Sequence, residues 1–149
     1  MPEQGKFIVF EGIDGCGKST QAEEFATSLF RHRKFNHVLL TREPFRSEEL
    51  RRRLAEDKDA YSGAEKMADL FIEDRQNHLL TVIYPNLRAG IHIVSDRYKL
   101  STIAYQSAQG QDIKKLIELH KTMPIPDFVF IIDSDTKITA ERMSKDKRD

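Results

Sequence analysis

FIVFEGIDGCGKST, residues 7–20, carries more structural information than any other stretch of this 149-residue chain. Phe7-Ile8-Val9-Phe10 is a continuous apolar run, the pattern of a β-strand covered on both faces. Gly12, Gly17, Lys18 and Ser19 then satisfy the spacing G-x-x-x-x-G-K-[ST]. Glycines let the backbone turn sharply, so that successive N–H groups face a bound anion, and the helix that follows adds its positive end. A strand, then this loop, then a helix is the context that the motif requires. Residues Gly12, Ile13, Asp14, Gly15, Cys16, Gly17, Lys18, Ser19 and Thr20 are therefore expected to cradle nucleotide phosphates. In that loop Lys18 reaches the β- and γ-phosphates and the Ser19 hydroxyl is a magnesium ligand.

Outward from this segment, similar apolar runs recur at residues 37–40, 91–94 and 128–132. Helical spacing separates them. One pattern covers about 18–33, with Phe25, Leu29 and Phe30 on one stripe; a second runs from Ser62 to about Leu87. Ser62 and Glu65 form a capping box at its start. A third spans about 112–121, with Ile113, Leu116, Ile117 and His120 in register. Pro124 and Pro126 stop it before the fourth run. Strands alternating with helices predict an α/β, three-layer fold: a parallel sheet with helices on both faces, in a single domain over 1–149.

Lys and Arg total 24, as do Asp and Glu, so the formal net charge is zero. That balance argues against a general nucleic-acid or membrane binder. The apolar runs are too short to span a bilayer, and the first residues lack a signal-peptide pattern. The single cysteine, Cys16, cannot form an intrachain disulfide and suits a cytoplasmic setting; it reads as a small loop side chain without a partnering base. The histidines show no paired metal-ligand spacing.

A phosphate-binding loop leaves small GTPases, ATP-driven motors and small-molecule kinases open. Four further stretches narrow the choice: Thr41-Arg42-Glu43-Pro44, residues 69–75 (DLFIEDR), Asp96-Arg97-Tyr98, and residues 101–106 (STIAYQ). Together with FEGIDGCGKST, their identity and spacing resemble the thymidylate kinase family of P-loop nucleotide kinases from Phe7 to the end of the chain. By its own position, Asp96 at a strand's carboxyl end suits a magnesium-holding acid, beside Ser19. Arg97 suits a bridge between donor and acceptor phosphates, unless the two neighbours merely pair with each other.

The resemblance implies ATP and dTMP as substrates, Mg2+ as cofactor, dTDP as product and a homodimer joined through the long helices. It implies that Arg42 grips the acceptor phosphate, for which a guanidinium fork is suited. Phe71 and Arg75, four apart on one helix face, would stack the thymine ring and donate to its O4. As an isolated pair they would read as a core phenylalanine and a surface arginine. The Ser101/Thr102 turn would meet the base N3 edge, Tyr105 would pack near the sugar, and Gln106 would line the pocket. Asp14 is the acidic position facing the acceptor's sugar and phosphate; Glu11 is read as orienting an arginine. Where the family usually continues with glycines after Glu43-Pro44, this chain has Phe45-Arg46, so the loop shape is open and Arg46 is an extra phosphate candidate.

Some members carry a catalytic arginine in the loop directly after the acid. Here that position is Gly15, so an arginine is expected from a lid beginning near residue 140, with Arg142 or Arg148 beside Lys18 and Arg97 as the catalytic set. A solvated, charged helix end is the plain alternative for that run. Members also extend beyond the lid, so the chain is read as lacking the C-terminal elements. Another nucleoside monophosphate or deoxynucleoside kinase, or a truncated nucleotide-binding relative with little activity, is the alternative. A guanine-reading switch fits poorly, since residues 132–135 read Ile-Asp-Ser-Asp and lack Asn-Lys-x-Asp.

Overall fold

The computed structural model describes residues 3–56 and 63–145. Strands β1 (Phe7–Glu11), β2 (Val38–Arg42), β3 (His92–Asp96) and β4 (Phe128–Ile131) form one parallel sheet in the order β2-β3-β1-β4. Parallel neighbours require crossovers, and helices supply them. The resulting register aligns the strands' carboxyl ends: Phe10 lies opposite Asp96, and Arg42 opposite Asp96 on its other side. The loops that carry Asp14, Glu43 and Arg97 therefore leave the sheet along one edge, where open α/β sheets bind ligands.

Alternate side chains of β1 fill the two sides. Ile8 and Phe10 pack with Ala22, Ala26 and Val94 under helix α1 (Lys18–His32). Phe7 and Val9 pack with Leu79, Ile83, Leu87, Ile93, Tyr98 and Met123. The sheet is thus covered on both sides around β1, as the continuous apolar run requires. The fourth run departs from that expectation. Phe128, Val129, Phe130 and Ile131 are all exposed, because β4 is the sheet's edge and no described element covers its outer flank. Phe130 still reaches inward, its ring centroid 5.0 Å from that of Phe10.

The expected long helix is a composite: α3 (Ala64–His78), a π-helical turn (Leu79–Ile83) and α4 (Tyr84–Arg88). Pro85 has no N–H and would clash with the carbonyl four residues earlier in an unbroken α-helix. The widened turn accommodates it, with the Tyr84 N–H bonding the Leu79 carbonyl five residues back, while Asn86 Nδ2 donates to the Val82 carbonyl at 2.7 Å. The Ser62 end of the capping box lies outside the described residues.

Helix α2 (Glu48–Glu56) has no counterpart in the sequence reading, because its apolar stripe is only Leu50 and Leu54, of which Leu50 is fully buried and Leu54 exposed. Ser47 was its signal, since its hydroxyl accepts the Leu50 N–H at 3.1 Å ahead of two glutamates. Helix α6 (Ile113–Leu119) starts from Asp112, whose carboxylate accepts the Lys114 N–H. Of its expected stripe, Leu116 and His120 are buried whereas Ile113 and Ile117 face outward; Phe30 of α1 is likewise exposed. Helices α5 (Lys99–Ala108) and α7 (Thr136–Lys145) complete the described elements. No helix among the described residues is long and apolar enough to cross a membrane.

Candidate active site

The phosphate loop bends between β1 and α1, and Lys18 and Ser19 open the helix. Lys18 is buried, with Nζ 3.5 Å from Asp96 Oδ1. Ser19 Oγ donates to Asp96 Oδ2 at 2.5 Å. These three side chains converge because β1 and β3 are adjacent and end level. Asp96 Oδ1, buried beside the lysine, accepts no hydrogen bond. A hard cation fits this pair of oxygen ligands: magnesium is commonly held by one or two carboxylates, with phosphates and water completing its shell. Among the described residues no larger carboxylate or imidazole cluster competes for it.

A cavity of about 780 Å³ lies over this loop, walled by Asp14, Gly15, Gly17, Lys18, Ser19 and Thr20 and, from α7, by Arg142, Met143 and Lys145. Helix α7, which contains the residues from 140 where a lid is expected to begin, starts at Thr136 and packs directly on the loop. Arg142 Nη1 donates to the Gly15 carbonyl at 3.4 Å. Gly15 has φ 77°, and a Cβ there would lie 2.8 Å from the Thr139 carbonyl oxygen and 3.0 Å from Met143 Cγ. This glycine both takes a left-handed conformation and admits the α7 backbone. Arg148 lies outside the described residues.

A second cavity, of about 210 Å³, adjoins the first through Asp14. Its walls include Phe71 and Arg75 of α3, Arg97, and Ser101, Thr102, Tyr105 and Gln106 of α5. Sequence positions from four separate stretches thus meet in one space. Arg42 does not line it; that arginine sits exposed at the end of β2. Glu43 and Pro44, one and two residues on, do line it.

Arg97 is the one non-glycine at positive φ among the described residues, at 75°. Its backbone N–H bonds the Phe10 carbonyl at 2.8 Å, and its guanidinium reaches Asp14 Oδ1 at 2.5 Å and Ser101 Oγ at 2.7 Å. The arginine thus pairs across the loop with Asp14, rather than with its neighbour Asp96. Burial works against its charge, but Asp14 and Tyr105 outweigh that and raise its pKa. The Tyr105 hydroxyl donates to Asp14 Oδ2 at 3.3 Å, under the same guanidinium. The Asp14 carboxylate is therefore paired with a cation across the loop.

Glu11 does not orient an arginine by contact. It accepts the Tyr98 and Ser101 N–H groups at 3.0 and 3.3 Å and the Ser101 hydroxyl at 2.5 Å, so it caps α5 and reaches Arg97 only through Ser101. The Ser101 proton is committed to Glu11 as a result, while its oxygen accepts from Arg97 and keeps one lone pair. Thr102 Oγ1 accepts from Arg75 Nη2 at 2.8 Å. Each hydroxyl oxygen is thus bonded within the protein and keeps a further lone pair. Gln106 is the contrasting case: it is 1% exposed and its Oε1 has no partner.

Arg75 is more deeply placed than a surface donor. It is 1% exposed, with Nε donating to Glu43 Oε2 at 2.6 Å and Nη2 to the Tyr98 carbonyl at 3.2 Å. Sequence reasoning missed this network, which also holds His78 and His120. His78 Nδ1 lies 3.2 Å from Glu43 Oε1 and its Nε2 2.8 Å from Thr41 Oγ1. The signal available was the burial of His120 on the α6 stripe. Phe45 and Arg46 are accounted for by the same region. Asp74 accepts the N–H groups of Phe45, Arg46 and Ser47, the last two at 2.8 and 2.7 Å, and so shapes the loop without glycines. The Phe45 ring stacks on His78, and Arg46 lies over Phe45.

Comparison with known proteins agrees with this geometry. The sequence profile described as thymidylate kinase matches residues 10–149. A probable thymidylate kinase of Thermococcus kodakarensis is 41% identical over 150 residues, covering 95% of this chain and 72% of that protein. The thymidylate kinase of Dinoroseobacter shibae is 40% identical over 149 residues, covering 95% of this chain and 70% of that protein. The crystal structure of thymidylate kinase from Ehrlichia chaffeensis superposes with a TM-score of 0.80 at 34% identity, over 95% of this chain and 83% of that one.

Proposed function

Because the chain belongs to the thymidylate kinase family, we propose that its two adjoining cavities are the donor and acceptor halves of one phosphoryl-transfer site. The reaction passes the γ-phosphate of ATP to dTMP and yields dTDP. One observation carries the assignment of the halves: Asp14 walls both cavities and is paired with Arg97, so a charged group sits where the two substrates' phosphates would meet.

In this reading the loop amides and Lys18 hold the β- and γ-phosphates of ATP. Ser19 and Asp96 would hold Mg2+, which supplies charge neutralisation between those phosphates. Arg97 exchanges Asp14 for the acceptor phosphate, and Arg42 approaches the same phosphate from the end of β2. No general base is required, because a phosphate dianion is a nucleophile at neutral pH. Arg142 of α7, already at the rim of the donor cavity, supplies the arginine that Gly15 cannot. Such arginines contribute about 10³- to 10⁵-fold in related transfers.

Phe71 provides a flat face for the base, and Arg75 a donor for its O4. The Ser101/Thr102 turn meets the base N3 edge, and the unpartnered Gln106 Oε1 adds a second acceptor for the base N3–H. Tyr105 lies beside the sugar, where an added hydroxyl would crowd it. Family resemblance supports a homodimer joined through the long helices, and a single cysteine supports a cytoplasmic setting.

The test is ADP release followed with ATP alone and with dTMP, dUMP, dCMP or AMP added. Turnover should depend on the acceptor and be fastest with dTMP. A preference for AMP would refute the base-pocket assignment, and ADP release indifferent to acceptor would refute the acceptor half altogether.

A further inference from the structure

Among the described residues Arg75 is the largest fully buried side chain, and it walls the acceptor cavity. A guanidinium has five N–H donors in a fixed fork, and its direction is set by what holds the other nitrogens. Glu43 Oε2 lies 2.6 Å from both Nε and Nη2, and the Tyr98 carbonyl and Thr102 hydroxyl also face Nη2. Nη1 lies 2.6 Å from Nε2 of His120, a residue 2% exposed at the end of α6. One N–H on Nη1 is then left for a ligand.

His120 can accept from Arg75 only when neutral and protonated on the other nitrogen. Both conditions are met by its surroundings. Nδ1 faces the Leu116 carbonyl at 2.7 Å, which can only accept, so the proton resides on Nδ1. Burial lowers the imidazole's pKa, and the cations of Arg75 and Lys99 act in the same direction. The Leu116 carbonyl and the Glu43 carboxylate act against them without reversing the shift. Lys99 is itself pushed down by burial and by Arg75.

Resting on the acceptor-site reading above, we propose that His120 is a positioning residue for base selectivity, holding Arg75 Nη1 so that its remaining N–H meets a carbonyl oxygen at the base's 4-position. Thymine presents an acceptor there and cytosine an amine donor. A rigidly placed donor welcomes the first and confronts the second with a like group. Freed from His120, the guanidinium can turn its unpaired N–H away, and the discrimination falls.

Dissociation constants for dTMP and dCMP, measured by calorimetry on the whole chain at pH 7.5, test this. His120→Leu should reduce the dTMP-over-dCMP preference by about tenfold or more, the value of one lost charged hydrogen bond. His120→Gln, which places an uncharged acceptor near the Nε2 position, should restore most of it. A merely structural role would weaken both ligands alike and leave the ratio unmoved, which would overturn the proposal. Nitrogen-15 spectra of the unaltered protein give an independent reading should His120→Leu not fold. An imidazole at position 120 protonated on Nδ1 alone supports the assignment; one protonated on Nε2 overturns it. If the unaltered protein shows no preference for dTMP, the base-reading role of Arg75 fails, and this proposal with it.

Discussion

Replacing Gly15 by alanine should undock α7 from the phosphate loop, and the structure separates the two parts of the effect. At φ 77° any side chain costs about 1–2 kcal/mol in backbone strain. The new Cβ would also meet the Thr139 carbonyl oxygen at 2.8 Å and Met143 Cγ at 3.0 Å. Met143 is exposed and can swing aside. The carbonyl belongs to a helix backbone and can yield only if α7 moves, an overpacking cost of about 1–3 kcal/mol. Gly110 supplies the control. Its φ is 90°, yet nothing lies within 4 Å of its would-be Cβ, so Gly110→Ala carries the strain without the clash.

Thermal unfolding should therefore show a small loss for Gly110→Ala, with Gly15→Ala losing either more stability or its α7 docking. Hydrogen exchange decides between those two outcomes. Amides of residues 136–145 should exchange faster in Gly15→Ala and remain unchanged in Gly110→Ala. Turnover should fall in step, because Arg142 leaves the rim of the donor cavity with its helix. If the two variants match in melting temperature and in exchange across 136–145, the contact between loop and α7 is not what Gly15 provides, and the reasoning fails.

Lys18→Ala should abolish measurable ATP-dependent phosphorylation of dTMP while circular dichroism stays native; near-normal turnover would sink the phosphate-cradle assignment. Glu43→Ala should destabilise the chain by about 3–5 kcal/mol, since it strands the buried Arg75 without its anion. Denaturant unfolding reads this directly, and a loss below about 1 kcal/mol would contradict the network. Stability should also fall on mild acidification through His120. Burial, reinforced by Arg75, holds its folded pKa below the ordinary 6.5, so below that pH the unfolded chain takes up a proton that the folded chain refuses. The loss begins near pH 6.5, proceeds at up to about 1.4 kcal/mol per pH unit and ends at the folded pKa. His120→Gln should flatten that part of the unfolding profile, and an unchanged slope would exclude the effect.

Much of the molecule was legible before any coordinates, for definable reasons. Alternating apolar runs and helical spacing report local burial, so four strands and a three-layer fold followed from them. Exceptions arose where burial is not local. The run at 128–131 is apolar enough for a central strand but lies at the sheet's edge. Pro85 turned one helix into three pieces, and α2 was missed because two leucines four apart make too short a stripe among its charges. Residues picked from separate motifs do come together: Phe71, Arg75, Arg97, Tyr105 and Gln106 share a cavity.

By itself, the sequence determined the phosphate loop, the strand whose end carries Asp96, and the stretches that wall the second cavity. Tertiary structure alone decided what each polar group is free to do. Ser101 is taken by Glu11, 90 residues away, and Asp14 by Arg97, 83 residues away, while Gln106 Oε1 is left without a partner. The reason is physical. Motif spacing brings residues to the same sheet edge, but a hydrogen bond is settled within tenths of an ångström by how β1, α3, α5 and α6 pack. Gly15 shows both levels at once: its place in the loop could be read from the chain, and the carbonyl of α7 that it makes room for could not.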